Sequence, residues 1–207
     1  SVSSLATSSD NMYVTSQSDG FTQYYPAYGM WSGSLTNMQP GSGYMMSTSY
    51  AGELTYPEFD DLSRITKENE MMILPATISD WNVNYADYQF IGSITASIES
   101  HDDFDGDIVA VFVDDNCRGV ARRMYFPLGD RYYYLIQVYS NVESGEELTF
   151  KYYDSSKDEV VEYSETLPFT SNMIIGDGFN TFALSDEFSI PETFSLDKAY
   201  PNPFNPV

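Results

Sequence analysis

The sequence predicts an all-β fold, an antiparallel Ig-like β-sandwich preceded by a smaller β-rich unit. Three observations lead there. Apolar and polar residues alternate at the two-residue period of a half-buried strand, most strictly over 90–98. Turn residues divide the part from about 90 to 184 into about seven such runs, at roughly the 8–12-residue spacing of a sandwich. No stretch carries the 3.6-residue apolar period of a helix.

The sandwich is organised around residues 107–121. Ile108–Val113 is an almost unbroken apolar run, as expected of a strand buried on both faces. Asp114, Asp115 and Asn116 tolerate the backbone angles of a tight turn, and 117–121 returns as the partner strand. More strands pack on this hairpin. In 90–98, Phe90, Ile94, Ala96 and Ile98 share one face. Residues 132–139 form a strand with two dissimilar faces. Ser144 and Gly145 turn the chain into 148–153, where Leu148, Phe150 and Tyr152 point one way. Residues 154–158 are a polar hairpin loop, 159–163 return, and 180–184 close the unit.

The part before it differs in composition. Residues 1–18 are rich in Ser and Thr and read as an extended arm or an edge strand. Short β-like pieces rich in Tyr, Gly and Met follow, with strands over 31–35, 43–47 and 53–56. Pro40 and Gly41 mark a turn, because Pro presets φ and Gly accepts positive φ. Charged residues over 58–70 break the pattern. The boundaries that result are a β-rich unit with its arm at 1–62, a linker at 63–72, the sandwich at 73–186 and a Pro-rich linker at 187–207.

Composition narrows the function. Apolar residues make up 42% of the 207, with 18 Tyr and 13 Phe, which is enough for a real core. Nine Lys and Arg stand against 31 Asp and Glu, a formal charge of −22. Such a surface repels nucleic acid and anionic membranes. It suits salty water or divalent cations, and solubility alone is an equally simple reading. No apolar run has the length of a membrane span, so no membrane insertion is expected. No charged-then-apolar leader opens the chain, and Ser1 reads as a processed start or a boundary.

Residues 200–206 read Tyr-Pro-Asn-Pro-Phe-Asn-Pro, six residues after Phe194-Ser195-Leu196 begins. This resembles the opening of the C-terminal sorting domain of proteins exported by the bacterial type IX secretion system. The resemblance implies passage across a Gram-negative outer membrane and an extracellular or cell-surface location. The rest of a sorting domain does not follow, as in a fragment or after removal on export. Two other stretches resemble modules of large secreted proteins of such bacteria. One is Trp31-Ser32-Gly33-Ser34-Leu35 with Pro40-Gly41-Ser42-Gly43-Tyr44, where Met30 interrupts the usual Gly-Trp pair. The other runs from Asp105 to Ala121, with 138–141 and 148–154, and resembles a non-catalytic β-sandwich module. Neither implies a catalytic residue.

The residues that carry chemistry are few. Asp103, Asp105 and Asp107 alternate around Gly106 and form a candidate Ca²⁺ site, since carboxylates at such positions can converge on one hard cation. An EF-hand frame fails, because it would open on His101 and close on Phe112; a solvated acidic loop is the competing reading. The single cysteine, Cys117, excludes an intrachain disulfide. Beside Arg118 it could be a reactive thiol, but it reads better as a small buried strand residue. A Cys-His pair would need His101, the one histidine, and lacks an orienting partner. Asp60-Asp61 and Glu146-Glu147 do not make a glycosidase, because adjacent strand carboxylates face opposite ways. Tyr24, Tyr25, Tyr28 and Trp31 are candidate interaction residues, for stacking on sugars or packing on another subunit, or else the core of a small unit. Arg122 and Arg123 are a rare basic spot. Taken together these predict a non-enzymatic extracellular structural protein, a self-associating surface or filament subunit. A glycan-binding or adhesive module with an extracellular polysaccharide partner is the alternative.

Overall fold

The computed structural model describes residues 12–39, 41–48, 72–99 and 104–185. The described chain is all-β. Twelve strands form a four-stranded and an eight-stranded sheet, and the helical content is two short 3-10 turns, Ala76–Ile78 and Tyr85–Asp87. The predicted strand at 53–56, most of the predicted linker and the Pro-rich segment lie outside the described residues.

The small sheet holds β1 (Tyr13–Ser16), β2 (Phe21–Tyr25), β3 (Met30–Gly33) and β4 (Tyr44–Ser47), in the antiparallel order β3-β2-β1-β4. The expectation of an arm or edge strand over 1–18 is corrected for its last residues. Tyr13–Ser16 is an interior strand, paired with β2 on one side and β4 on the other, and all four residues are buried. Its hydroxyl-bearing residues disguised it. Val14 packs against Leu35 on one face, while Thr15 on the other accepts a hydrogen bond from Gln137 Nε2 at 3.2 Å. A buried hydroxyl is tolerated when it is hydrogen-bonded, so a Ser/Thr-rich run can still be core. β3 and β4, both expected as strands, occupy opposite edges of this sheet.

The large sheet holds β5 (Phe90–Ile98), β6 (Ile108–Val113), β7 (Asn116–Phe126), β8 (Arg131–Ser140), β9 (Ser144–Asp154), β10 (Glu159–Thr170), β11 (Ile174–Ile175) and β12 (Phe182–Leu184). Its path runs β10-β9-β6-β7-β8-β5-β11, with β12 also on β5. β7 makes this one sheet behave as two layers. Its first part, to Arg122, pairs with β6, and its last part, from Arg123, pairs with β8. The sheet therefore folds over on itself and closes on a shared core. Ile94, Val111, Tyr134, Ile136, Phe150 and Phe169 meet there, and the Phe150 and Phe182 rings lie 5.1 Å apart although their strands are far apart along the sheet. Gly119 permits the crossing, since a Cβ there would stand 2.3 Å from the Gln137 carbonyl oxygen.

The central hairpin matches its sequence reading. Asp114 takes a positive φ of 51° in the turn, a conformation that Asp tolerates, and Ile108 through Phe112 are buried. Both outer faces of the folded sheet are also covered. Over β6 and β9, Ile78 and Trp81 pack on Ile108, Ala110, Phe112 and Tyr153. Thr77 and Tyr153 both donate to Asp158 Oδ1 at 2.7 Å, tying this cover to the β9–β10 turn. Over β8 lies the small sheet. One departure from an antiparallel sandwich is that β11 and β12 pair with β5 in parallel, at Ser93–Ile94 and Ala96–Ile98. No helix among the described residues is long and apolar enough to cross a membrane.

Candidate functional site

The two dissimilar faces of β8 explain how the small sheet is held. Tyr134, Ile136 and Val138 face the inner core, while Tyr133, Leu135, Gln137 and Tyr139 alternate onto the outer face. Gln137 bridges the layers. Its Oε1 accepts from Gly20 N at 3.1 Å and its Nε2 donates to the Ser16 carbonyl at 2.5 Å. Tyr139 donates to the Gln17 carbonyl at 2.8 Å, and the Ser32 and Tyr133 hydroxyls lie 3.1 Å apart. Tyr25, Phe126 and Tyr133 make the apolar part of this contact.

Where the small sheet meets β5, the contact opens into a cleft of about 390 Å³. Tyr13 and Thr15 of β1, Met45 and Ser47 of β4, Ser93 of β5 and Ile174 of β11 line it. None of the described lining residues is charged, in a chain of net charge −22. Two sheet margins border it. β4 ends the small sheet and β11 ends the path of the large one, so each has one side without a strand among the described residues. Met45 and Ile174 are exposed there. Tyr13 is buried, its phenol pushed well above the usual range by desolvation; it leans towards Ser93 without a well-formed hydrogen bond. At the opposite margin, β10 carries exposed Glu159 and Glu162 and a proline, Pro168, the features that discourage strand addition.

The predicted calcium ligands take up different positions. Asp107 is fully buried, and both carboxylate oxygens are occupied. Oδ1 accepts from Ser155 N at 3.0 Å and Ser155 Oγ at 2.7 Å, while Oδ2 accepts from Phe104 N and the Tyr152 hydroxyl, both at 2.7 Å. Asp105 points into solvent and pairs with Arg123 at 3.4 Å. Asp103 lies outside the described residues. Among the described residues no group of three metal-ligating side chains converges. A cation held by this loop would therefore draw on Asp105 and on residues beyond those described.

The predicted aromatic cluster divides between faces. Tyr25 is buried, 5.4 Å from the Phe126 ring, and its hydroxyl accepts from Gly178 N at 2.8 Å. Trp31 and Tyr24 contact one another on the other face, where Trp31 packs beside Val14 and Leu35. Tyr28 is exposed and stacks on Phe179 at 5.7 Å. Only Tyr28 of the four is both exposed and large. Arg122 donates to the Ile73 carbonyl, and Arg118 pairs with Glu146 at 3.1 Å.

Cys117 is buried against Trp81 and Phe112, and burial pushes its thiol up to about 11. A thiol that stays protonated is a poor nucleophile. We expect a thiol reagent at pH 8 to leave the native protein unlabelled over hours and to label it fully in denaturant. Rapid labelling of the native protein would contradict the burial.

No family model, curated protein or solved structure matches this chain.

One constellation lay outside the sequence reading. Arg123, Tyr125 and Tyr132 sit together across the β7–β8 hairpin, with Tyr125 directly opposite Tyr132. The residues lie on consecutive strands, and the turn at 127–130, with Pro127, Gly129 and Asp130, aligns them.

Proposed function

We propose that this chain is a non-catalytic, self-associating module exported by type IX secretion to the outer cell surface or beyond. The observation that carries the association is the uncharged cleft between β4 and β11. A cleft bordered by two sheet margins suits an extended strand, whose backbone satisfies the edge groups while alternate side chains fill the space. The occupant we propose is the segment 1–11 of a second copy. It reads Ser-Val-Ser-Ser-Leu-Ala-Thr-Ser-Ser-Asp-Asn and carries one charged side chain, Asp10, so it meets little repulsion at an uncharged groove. Val2, Leu5 and Ala6 supply apolar side chains for part of its length. Addition of this kind is head-to-tail and does not close, so it builds open chains of subunits.

Export rests on the motif at 200–206, and the net charge of −22 fits a protein that meets no nucleic acid. Self-repulsion at −22 opposes association, so added salt strengthens it by screening. Sedimentation of the whole chain is expected to show species growing with protein and salt concentration. Removing residues 1–11 leaves a folded monomer. The deletion stops there because Tyr13–Ser16 is an interior strand, and a longer one would unfold the small sheet. A monomer at every concentration and salt, or association unchanged by the deletion, contradicts the reading.

A further inference from the structure

We propose that Arg123, Tyr125 and Tyr132 form a binding platform for a neutral saccharide, separate from the association cleft. The three side chains lie on the face of β7 and β8 that carries Tyr134, but further along the hairpin. Tyr134 is in the core, whereas Tyr132 is 38% and Tyr125 46% exposed. Two large rings are thus left at the surface side by side, with centroids 5.3 Å apart.

The rings are held in place before any ligand arrives. The Arg123 guanidinium lies over Tyr132 at 4.3 Å from the ring centre. Tyr125 donates to Asp130 Oδ1 at 2.6 Å. Asp130 itself takes a positive φ of 48° in the turn, which is uncommon outside glycine. Asp105 reaches across to Arg123 from the neighbouring loop. Fixed groups lose little freedom on binding, so such a surface binds more tightly than a mobile one.

The chemistry selects the ligand class. A pyranose has an apolar face of C–H bonds and a rim of hydroxyls. An aromatic ring takes the face, since its π cloud attracts the weakly positive C–H groups. Vicinal hydroxyls need donors and acceptors close together at the edge. Asp105 and Asp130 supply acceptors and the exposed Tyr132 phenol a donor, while the mostly buried Arg123, paired with Asp105, fixes the ring. An anionic sugar would meet two carboxylates against one guanidinium on a chain of charge −22, so the ligand is neutral.

The test uses affinity gel electrophoresis of the whole chain in gels containing dextran, mannan, β-1,3-glucan or galactan. Alginate serves as the anionic comparison. Retardation by at least one neutral polymer is expected. Tyr132→Ala and Tyr125→Ala, each checked for folding by near-UV circular dichroism, weaken it at least tenfold, and Tyr125→Phe keeps much of it. Tyr28→Ala leaves it unchanged, because that exposed ring lies on the small-sheet side. Four results overturn the proposal. They are no retardation by any neutral polymer, retardation by alginate alone, retardation insensitive to both alanine variants, or loss on Tyr28→Ala instead. A variant lacking residues 1–11 keeps the retardation, which separates this site from self-association.

Discussion

Asp107→Ala is expected to destabilise the protein by about 3 kcal/mol or more, since each buried polar group left without its partner costs roughly 1–3 kcal/mol. Four donors lose their acceptor at once: two backbone N–H groups, of Phe104 and Ser155, and the hydroxyls of Tyr152 and Ser155. Tyr152 is 1% exposed, so its hydroxyl cannot turn to solvent; burial and the Asp107 carboxylate both hold it protonated. Asp107→Asn is no rescue. Each carboxylate oxygen accepts from one backbone N–H, so either orientation of the amide sets its NH₂ against one of those donors. Both variants are expected to lower the urea midpoint markedly, with Asn between wild type and Ala. A loss below about 1 kcal/mol for Ala would contradict a structural role for this carboxylate.

Phe126→Ala is expected to cost roughly 3–5 kcal/mol, the range for emptying a buried aromatic site. The Phe126 ring is completely buried and lies 5.4 Å from Tyr25, 5.4 Å from Tyr133 and 5.1 Å from Phe179. Even the backbone is shaped to it, since a Cβ on Gly178 would stand 2.4 Å from the ring. Because Tyr25 belongs to the small sheet and Tyr133 to β8, this ring joins the two sheets. The two tryptophans report the consequence separately: Trp31 belongs to the small sheet and Trp81 to the cover over β6. In single-tryptophan versions of the wild type, both are expected to unfold together, as one cooperative unit. In Phe126→Ala, Trp31 is expected to change at lower denaturant than Trp81. Separate transitions already in the wild type would show that the sheets are not coupled in this way.

What could be read from the sequence depended on whether a single strand's pattern decided the matter. The alternation in 90–98 and in 148–153 places Ile94, Ala96, Leu148, Phe150 and Tyr152 in the core, where they lie. The apolar run of Ile108–Val113 demanded cover on both faces, and Trp81 and Ile78 provide the second. Long-range pairing was less legible. β1 reads as part of an arm or an edge strand because two of its four residues are Thr and Ser, whose burial depends on Gln137, more than a hundred residues away. β11 and β12 are too short for a period to show, so their parallel pairing with β5 is not legible in their own residues.

The same limit governed the sites. A carboxylate that closes a turn and one that waits for a cation have the same sequence, and Asp107 proved to accept hydrogen bonds from a loop and a neighbouring strand. Tyr24, Tyr25, Tyr28 and Trp31 are close in sequence but alternate across the sheet, so they do not form one surface. Arg123, Tyr125 and Tyr132 become neighbours only through the turn at 127–130 and the register of β7 on β8.

The central claim, association through the cleft beside β4, is tested most directly by amide hydrogen exchange across protein concentration. If segment 1–11 of one copy adds to β4 of the next, the amides of Tyr44–Ser47 that β1 leaves unpaired become protected as concentration rises, together with Ile174 at the cleft. The protein without residues 1–11 shows no such change. Protection at β4 that is the same in dilute and concentrated solution, or a concentration-dependent gain confined to the charged β10 margin, would contradict it.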